Sequence, residues 1–127
     1  MKVLRLACAS FVGLLLLAGC GSPDAGDGCN GSDYICLDVA RALECRGGSW
    51  RELQCRGTLG CRELKDSVRC DTSGNVAGDN CASSAEGHAM CRSDGKALLE
   101  CREGLLVQTL ACSSCATTED SRVQCTP

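Results

Sequence analysis

Two sets of six cysteines constrain this chain more tightly than any other feature: Cys29, Cys36, Cys45, Cys55, Cys61 and Cys70, then Cys81, Cys91, Cys101, Cys112, Cys115 and Cys125. The residues around them repeat as well. Gly26-Asp27-Gly28-Cys29 aligns with Gly78-Asp79-Asn80-Cys81, and Leu43-Glu44-Cys45-Arg46 with Leu99-Glu100-Cys101-Arg102. Gly48 falls near Gly104, and Leu53-Gln54-Cys55 falls on Leu110-Ala111-Cys112. Asp66-Ser67-Val68-Arg69-Cys70 matches Asp120-Ser121-Arg122-Val123-Gln124-Cys125 with one insertion. Each copy spans about 45 residues, close to the lower size at which a hydrophobic core alone suffices. Three disulfides per copy supply the missing constraint by restricting the unfolded chain. Six cysteines can pair in many ways, and spacing does not choose among them. Because each copy holds an even set, each is expected to fold when expressed alone.

The fold class these repeats predict is small, disulfide-rich and mainly β, as two tandem short hairpin or meander modules. In the second copy Ser93-Asp94-Gly95-Lys96 is a turn signal between apolar runs. Residues 97–102 then form a strand, Glu103-Gly104 a second turn, and residues 105–112 the returning strand. Residues 41–46, Gly47-Gly48 and residues 49–55 repeat that plan in the first copy. The two-residue period of a strand puts Cys45 and Cys101 on one face and their charged neighbours on the solvent face. A helix over residues 37–43 is the competing local reading. Loops are expected elsewhere, including residues 55–70 and a connector at 71–80.

The first nineteen residues read as an address. Lys2 and Arg5 precede an apolar run at residues 6–18, which is too short to span a bilayer as a helix but matches the core of a secretory signal. The run ends in Leu17-Ala18-Gly19-Cys20, which resembles the bacterial lipobox. That resemblance implies a diacylglycerol on the Cys20 thiol, cleavage after Gly19 and acylation of the new amine, so that the membrane is a partner through lipid. The whole chain is similar to small myxobacterial-type lipoproteins with tandem six-cysteine repeats. The resemblance implies a lipid-anchored, extracytoplasmic protein of the bacterial cell envelope. Gly21, rather than an aspartate, after the lipidated cysteine points to the outer membrane over the inner. Cysteine arithmetic agrees: Cys8 is removed, Cys20 is blocked by lipid, and twelve remain, the even number that complete pairing requires. Residues 20–28 hold no large apolar side chain and are expected to form a flexible tether. Repeat one then occupies 29–70 and repeat two 81–127.

Composition excludes several function classes. Three aromatics among 127 residues cannot line a cofactor cleft or a base-stacking surface. A formal charge of −3 argues against phosphate-driven nucleic-acid binding. Five cysteines are followed by arginine (Arg46, Arg56, Arg62, Arg92, Arg102), which reads as solvent-facing charge rather than a basic stripe. Cys112-Ser113-Ser114-Cys115 has redox-dithiol spacing without a redox fold around it, and a zinc cluster lacks a second such pair. His88, with Ser83, Ser84 and Glu86 near it in sequence, reads as a loop histidine, because a hydrolase triad needs a rigid pocket. Trp50 reads as a packing residue, with Leu106 or Val107 at its place in copy two. No enzyme activity, metal or cofactor is expected. The reading is a non-catalytic body presenting two rigid modules to a protein or glycan partner that the sequence does not identify. The alternative is a protease or toxin inhibitor, with the loop between Cys55 and Cys61 presenting Arg56 to a trypsin-like pocket.

Overall fold

The computed structural model describes residues 21–127; the signal segment and Cys20 lie outside them. Among the described residues ten strands run in order: β1 Tyr34–Asp38, β2 Arg41–Arg46, β3 Ser49–Gln54, β4 Cys61–Leu64, β5 Ser67–Cys70, β6 Ala89–Cys91, β7 Ala97–Arg102, β8 Leu105–Ala111, β9 Ser114–Thr117 and β10 Val123–Thr126. They form a three-stranded antiparallel meander, β1-β2-β3, followed by the hairpin β4-β5, and then the same pair again as β6-β7-β8 and β9-β10. The protein is therefore a small, disulfide-rich, nearly all-β molecule. One short 3-10 turn, Ser83–Ala85, interrupts the strands.

The meander turns have a direct chemical cause. Gly47 and Gly48 both adopt positive φ (62° and 82°), as a two-residue hairpin turn of matching twist demands. The equivalent pair is Glu103 and Gly104, at 53° and 79°. The turn before β2 is closed by Asp38, whose Oδ1 accepts from the Ala40 N–H at 2.8 Å. Asp94 does the same for Lys96 at 2.9 Å before β7. Residues 37–43 are accordingly two strands and a turn rather than a helix.

All twelve cysteines of the described residues are paired, with one connectivity used twice. The first pairs with the third (Cys29–Cys45, Cys81–Cys101), the second with the fifth (Cys36–Cys61, Cys91–Cys115), and the fourth with the sixth (Cys55–Cys70, Cys112–Cys125). The second bond ties each meander to its hairpin. It also explains why residues 55–70, expected as loop, hold β4 and β5: Cys61 and Cys70 face each other across that ladder and are clamped to Cys36 and Cys55.

Three expectations shift. Residues 24–28 are not free tether, since Gly26 N–H donates to Trp50 O at 2.8 Å and Trp50 N–H to Asp27 O at 2.9 Å. Residues 76–80 repeat this in the second module, with Gly78 bonded to Leu106 O and Leu106 to Asp79 O, both at 2.8 Å. Each module thus begins several residues before its first cysteine. Next, the charged face of β2 is not solvated: Ala42, Leu43, Glu44 and Cys45 are all buried. Finally, the first core cluster (Ala42, Leu53, Cys55, Cys61) packs against Ala82 of the second module. The second cluster comprises Cys81, Leu99, Cys101 and Leu106. The modules share a packed boundary, and no disulfide among the described residues crosses it.

Candidate functional site

The densest polar constellation lies where the second module docks on the first. Glu44, on β2, is 2% exposed. Its Oε1 accepts from the Tyr34 hydroxyl at 2.7 Å, the Ser83 N–H at 2.9 Å and the Ser83 hydroxyl. Oε2 is buried without a hydrogen-bond partner among the described residues. Burial opposes the charge on Glu44, but the Ser83 and Tyr34 donors, with Arg46 near, outweigh it and hold the carboxyl below its ordinary range. The same arrangement, by burial and then by the hydrogen bond to Glu44, pushes the Tyr34 phenol up.

A second pin lies beside it. Arg56 grips Asp79 with two nearly parallel bonds, Nε to Oδ2 at 2.7 Å and Nη2 to Oδ1 at 2.9 Å. Asp79 also caps its own turn by accepting from the Val76 N–H at 3.0 Å. Arg56 is the first cause of the lowered Asp79 pKa, opposed by burial and aided by Val76. Asn75, 1% exposed, accepts from the Arg56 N–H at 3.1 Å and donates to Gln54 O at 2.8 Å. Gln54 in turn accepts from the Asn80 N–H at 2.8 Å. Arg56 therefore belongs to the module junction. Its half-exposed guanidinium is engaged by Asp79 rather than free, and the loop after it is folded back. Asp71 closes that loop, accepting from the Leu59 N–H at 3.0 Å and the Ser73 N–H at 3.1 Å. Cys55 and Cys61 at its ends belong to different disulfides.

Two hollows flank the junction. One, about 390 Å³, is lined by Ala25, Glu44, Arg46, Arg51, Glu52 and Leu105 among others. The other, about 420 Å³, is more apolar and includes Tyr34, Ala42, Val68, Ala82 and Ala85. Leu53 and Asn80 line both and separate them.

The remaining sequence candidates fall apart in space or serve the fold. Cys112 bonds Cys125 and Cys115 bonds Cys91, so no dithiol forms between them. Ser83 gives its hydroxyl to Glu44, and Glu86 accepts from the Glu103 and Gly104 N–H groups at 2.6 and 3.0 Å. His88 stays exposed. No Ser-His-acid triad assembles from them. Four of the five arginines that follow cysteines approach carboxylates: Arg46 to Glu86 at 3.8 Å, Arg56 to Asp79, Arg92 to Asp94 at 2.8 Å, and Arg102 to Glu100 at 2.9 Å. Arg62 instead lies opposite Arg69 on the β4-β5 ladder. Trp50 sits opposite Cys45 as Leu106 sits opposite Cys101, so Leu106 is its counterpart. Among the described residues no cluster of metal-ligating side chains is present.

Sequence reasoning missed the junction, although a signal existed in the differences between the repeats. Gln54, Arg56, Tyr34 and Asn80 stand where the other copy has Ala111, Ser113, Ala89 and Gly28. Each is a larger polar side chain in one copy only, and each serves the contact made once. No protein-family model, curated protein or solved structure matches the chain.

Proposed function

We propose that this chain is a lipid-anchored protein of the bacterial cell envelope, held at Cys20. In this reading it faces an oxidising compartment, with the outer membrane favoured over the inner. Its two-module body serves interaction or structure rather than catalysis. The observation that carries the reading is the cysteine accounting. Twelve cysteines pair completely among residues 29–125, leaving outside that set only Cys8, in the segment that would be removed, and Cys20 of the lipobox-like Leu17-Ala18-Gly19-Cys20. Six structural disulfides belong to an extracytoplasmic setting, and a single unmatched thiol there would be a liability unless blocked. The polar side chains of the junction join the modules, which supports a structural or presenting body over a catalytic one.

The test is metabolic labelling with palmitate, together with mass spectrometry of the mature N-terminus. The wild-type chain should take up label and begin at a lipid-modified Cys20. Cys20→Ala should take up none and remain unprocessed. Cleavage of that variant after Gly19 with label retained would sink the proposal.

A further inference from the structure

The hydrogen-bonded body begins at Asp24, whose N–H donates to Asp27 Oδ2 at 2.8 Å. Three residues separate it from Cys20, and the four residue-to-residue steps of an extended chain cover at most about 3.5 Å each, so the reach is about 14 Å. Headgroup and interfacial zones account for about 5–8 Å on each side of a bilayer. A body attached through lipid on Cys20 therefore stays against the surface, and one end of it must face the headgroups.

That end is defined by backbone contacts. Residues 24–28 are bonded to Trp50 on both sides, and Gly28 bridges Ser49. Ala25 lines one hollow with Arg46, Arg51 and Leu105. A Cβ built on Gly104 would lie 2.9 Å from Arg46 Nη1, so the β2-β3 and β7-β8 turns meet at the same end. Two apolar side chains are left open there, one from each module. Leu106 is 3% exposed in the second core, whereas its counterpart Trp50 stays partly exposed and outside the first core cluster. Leu105 is 43% exposed, at the position of Ser49. Arg51, beside Trp50, is exposed and makes no salt bridge among the described residues.

We propose that this end, with Trp50 on one face of the meander and Leu105 and Arg51 at the other, rests in the headgroup layer of the bilayer; the proposal rests on the lipid-anchor reading above. An indole suits that zone, since its ring is apolar and its N–H finds water or phosphate oxygen. The Arg51 guanidinium suits phosphates. Glu52 and Glu103 lie at the same end, so the contact depends on the short anchor rather than on net positive charge.

Trp50 is the only tryptophan, so its emission reports on this end alone. The experiment uses the full processed, lipidated protein in vesicles of phosphatidylethanolamine and phosphatidylglycerol, with and without brominated acyl chains. Sedimentation with the vesicles reports the anchor separately. Trp50 emission should shift to shorter wavelength on reconstitution and be quenched by bromine. As a control, Trp50→Phe combined with Leu59→Trp moves the reporter beyond the far end of β3, about 13 Å or more away at the rise of a strand. Its emission should be quenched much less. Protein that sediments while Trp50 is unquenched, or quenched no more than the control, overturns the proposal. Protein that fails to sediment defeats the anchor reading instead.

Discussion

Replacing Glu44 by alanine removes the acceptor of three part-buried hydrogen bonds at once, from the Tyr34 hydroxyl and both Ser83 donors. Each such bond is worth about 0.5–1.5 kcal/mol net, and the loss should appear as a lower guanidinium midpoint by circular dichroism. Glu44→Gln keeps a carbonyl for those donors and should cost less. The two substitutions differ again with pH. The folded carboxyls of Glu44 and Asp79 titrate below their ordinary values of 4.5 and 3.8. The unfolded state therefore binds protons first, and the contribution is complete above pH 4.5 and is lost as pH falls through the depressed folded values. Wild type should lose stability on acidification in that range, and Glu44→Gln should lose less. Equal acid slopes in the two proteins would show that Glu44 does not titrate as described. Asp79→Ala removes both the Arg56 bond and the Val76 cap. It should destabilise by about 1–3 kcal/mol and more than Asp27→Ala, because Asp27, though it holds the equivalent turn, is exposed and makes no salt bridge among the described residues.

At the level of elements, the hairpins differ in what holds them. β2 and β3 bury Leu43 and Leu53 around a Gly-Gly turn that admits positive φ, and both features are plain in the sequence. β7 and β8 were legible for the same reason. β4 and β5 were not, since Cys-Arg-Glu-Leu and Ser-Val-Arg-Cys show almost no apolar alternation, and only Cys61 is buried among them. Their order comes from Cys36–Cys61 and Cys55–Cys70, bonds whose partners no local pattern identifies. Glu44 was misread on similar grounds: strand periodicity assigns it a face correctly, but what covers that face is Ser83, 39 residues away. Removing Cys55–Cys70 as a paired alanine variant opens a loop of sequence separation 15, worth about 3 kcal/mol in the chain-entropy account. Its effect should concentrate in β4-β5, where amide exchange should accelerate far more than in β6-β7-β8. Gly60→Ala tests the same element from the backbone side. Its φ is +59°, and an added Cβ would lie 2.2 Å from Val39 O, the carbonyl that accepts the Cys61 N–H at 2.7 Å. Alanine cannot fit without breaking that bond, so the loss should exceed the ordinary left-handed penalty of about 1–2 kcal/mol.

Over the whole molecule, the duplicated sequence suggests two independent modules, whereas the packing makes them unequal partners. The second core is built from its own residues, but Ala42 and Leu53 of the first are covered partly by Ala82 of the second. A fragment of residues 24–75 should thus be less stable than the same residues in the full chain, which should unfold in one transition. What sustains that transition is visible in the core itself. Six of the twelve buried apolar residues are half-cystines, and the others are four leucines and two alanines. Burial at about 25 cal/mol per Å² cannot, from so few side chains, offset about 1.5 kcal/mol of lost entropy for every ordered residue. Disulfides close the gap by keeping the unfolded chain compact, and as buried half-cystines they also fill the interior that larger side chains would otherwise occupy. Reduction removes the first effect and loosens the second, and it acts on both modules because the connectivity is the same in each. Residues 21–127 in excess reductant should therefore lose dispersed amide and methyl proton resonances and show no cooperative melting by circular dichroism, while the oxidised protein should stay folded to high temperature. A cooperative transition that persists in excess reductant would mean that the leucines suffice, and that the cysteines serve something other than the fold.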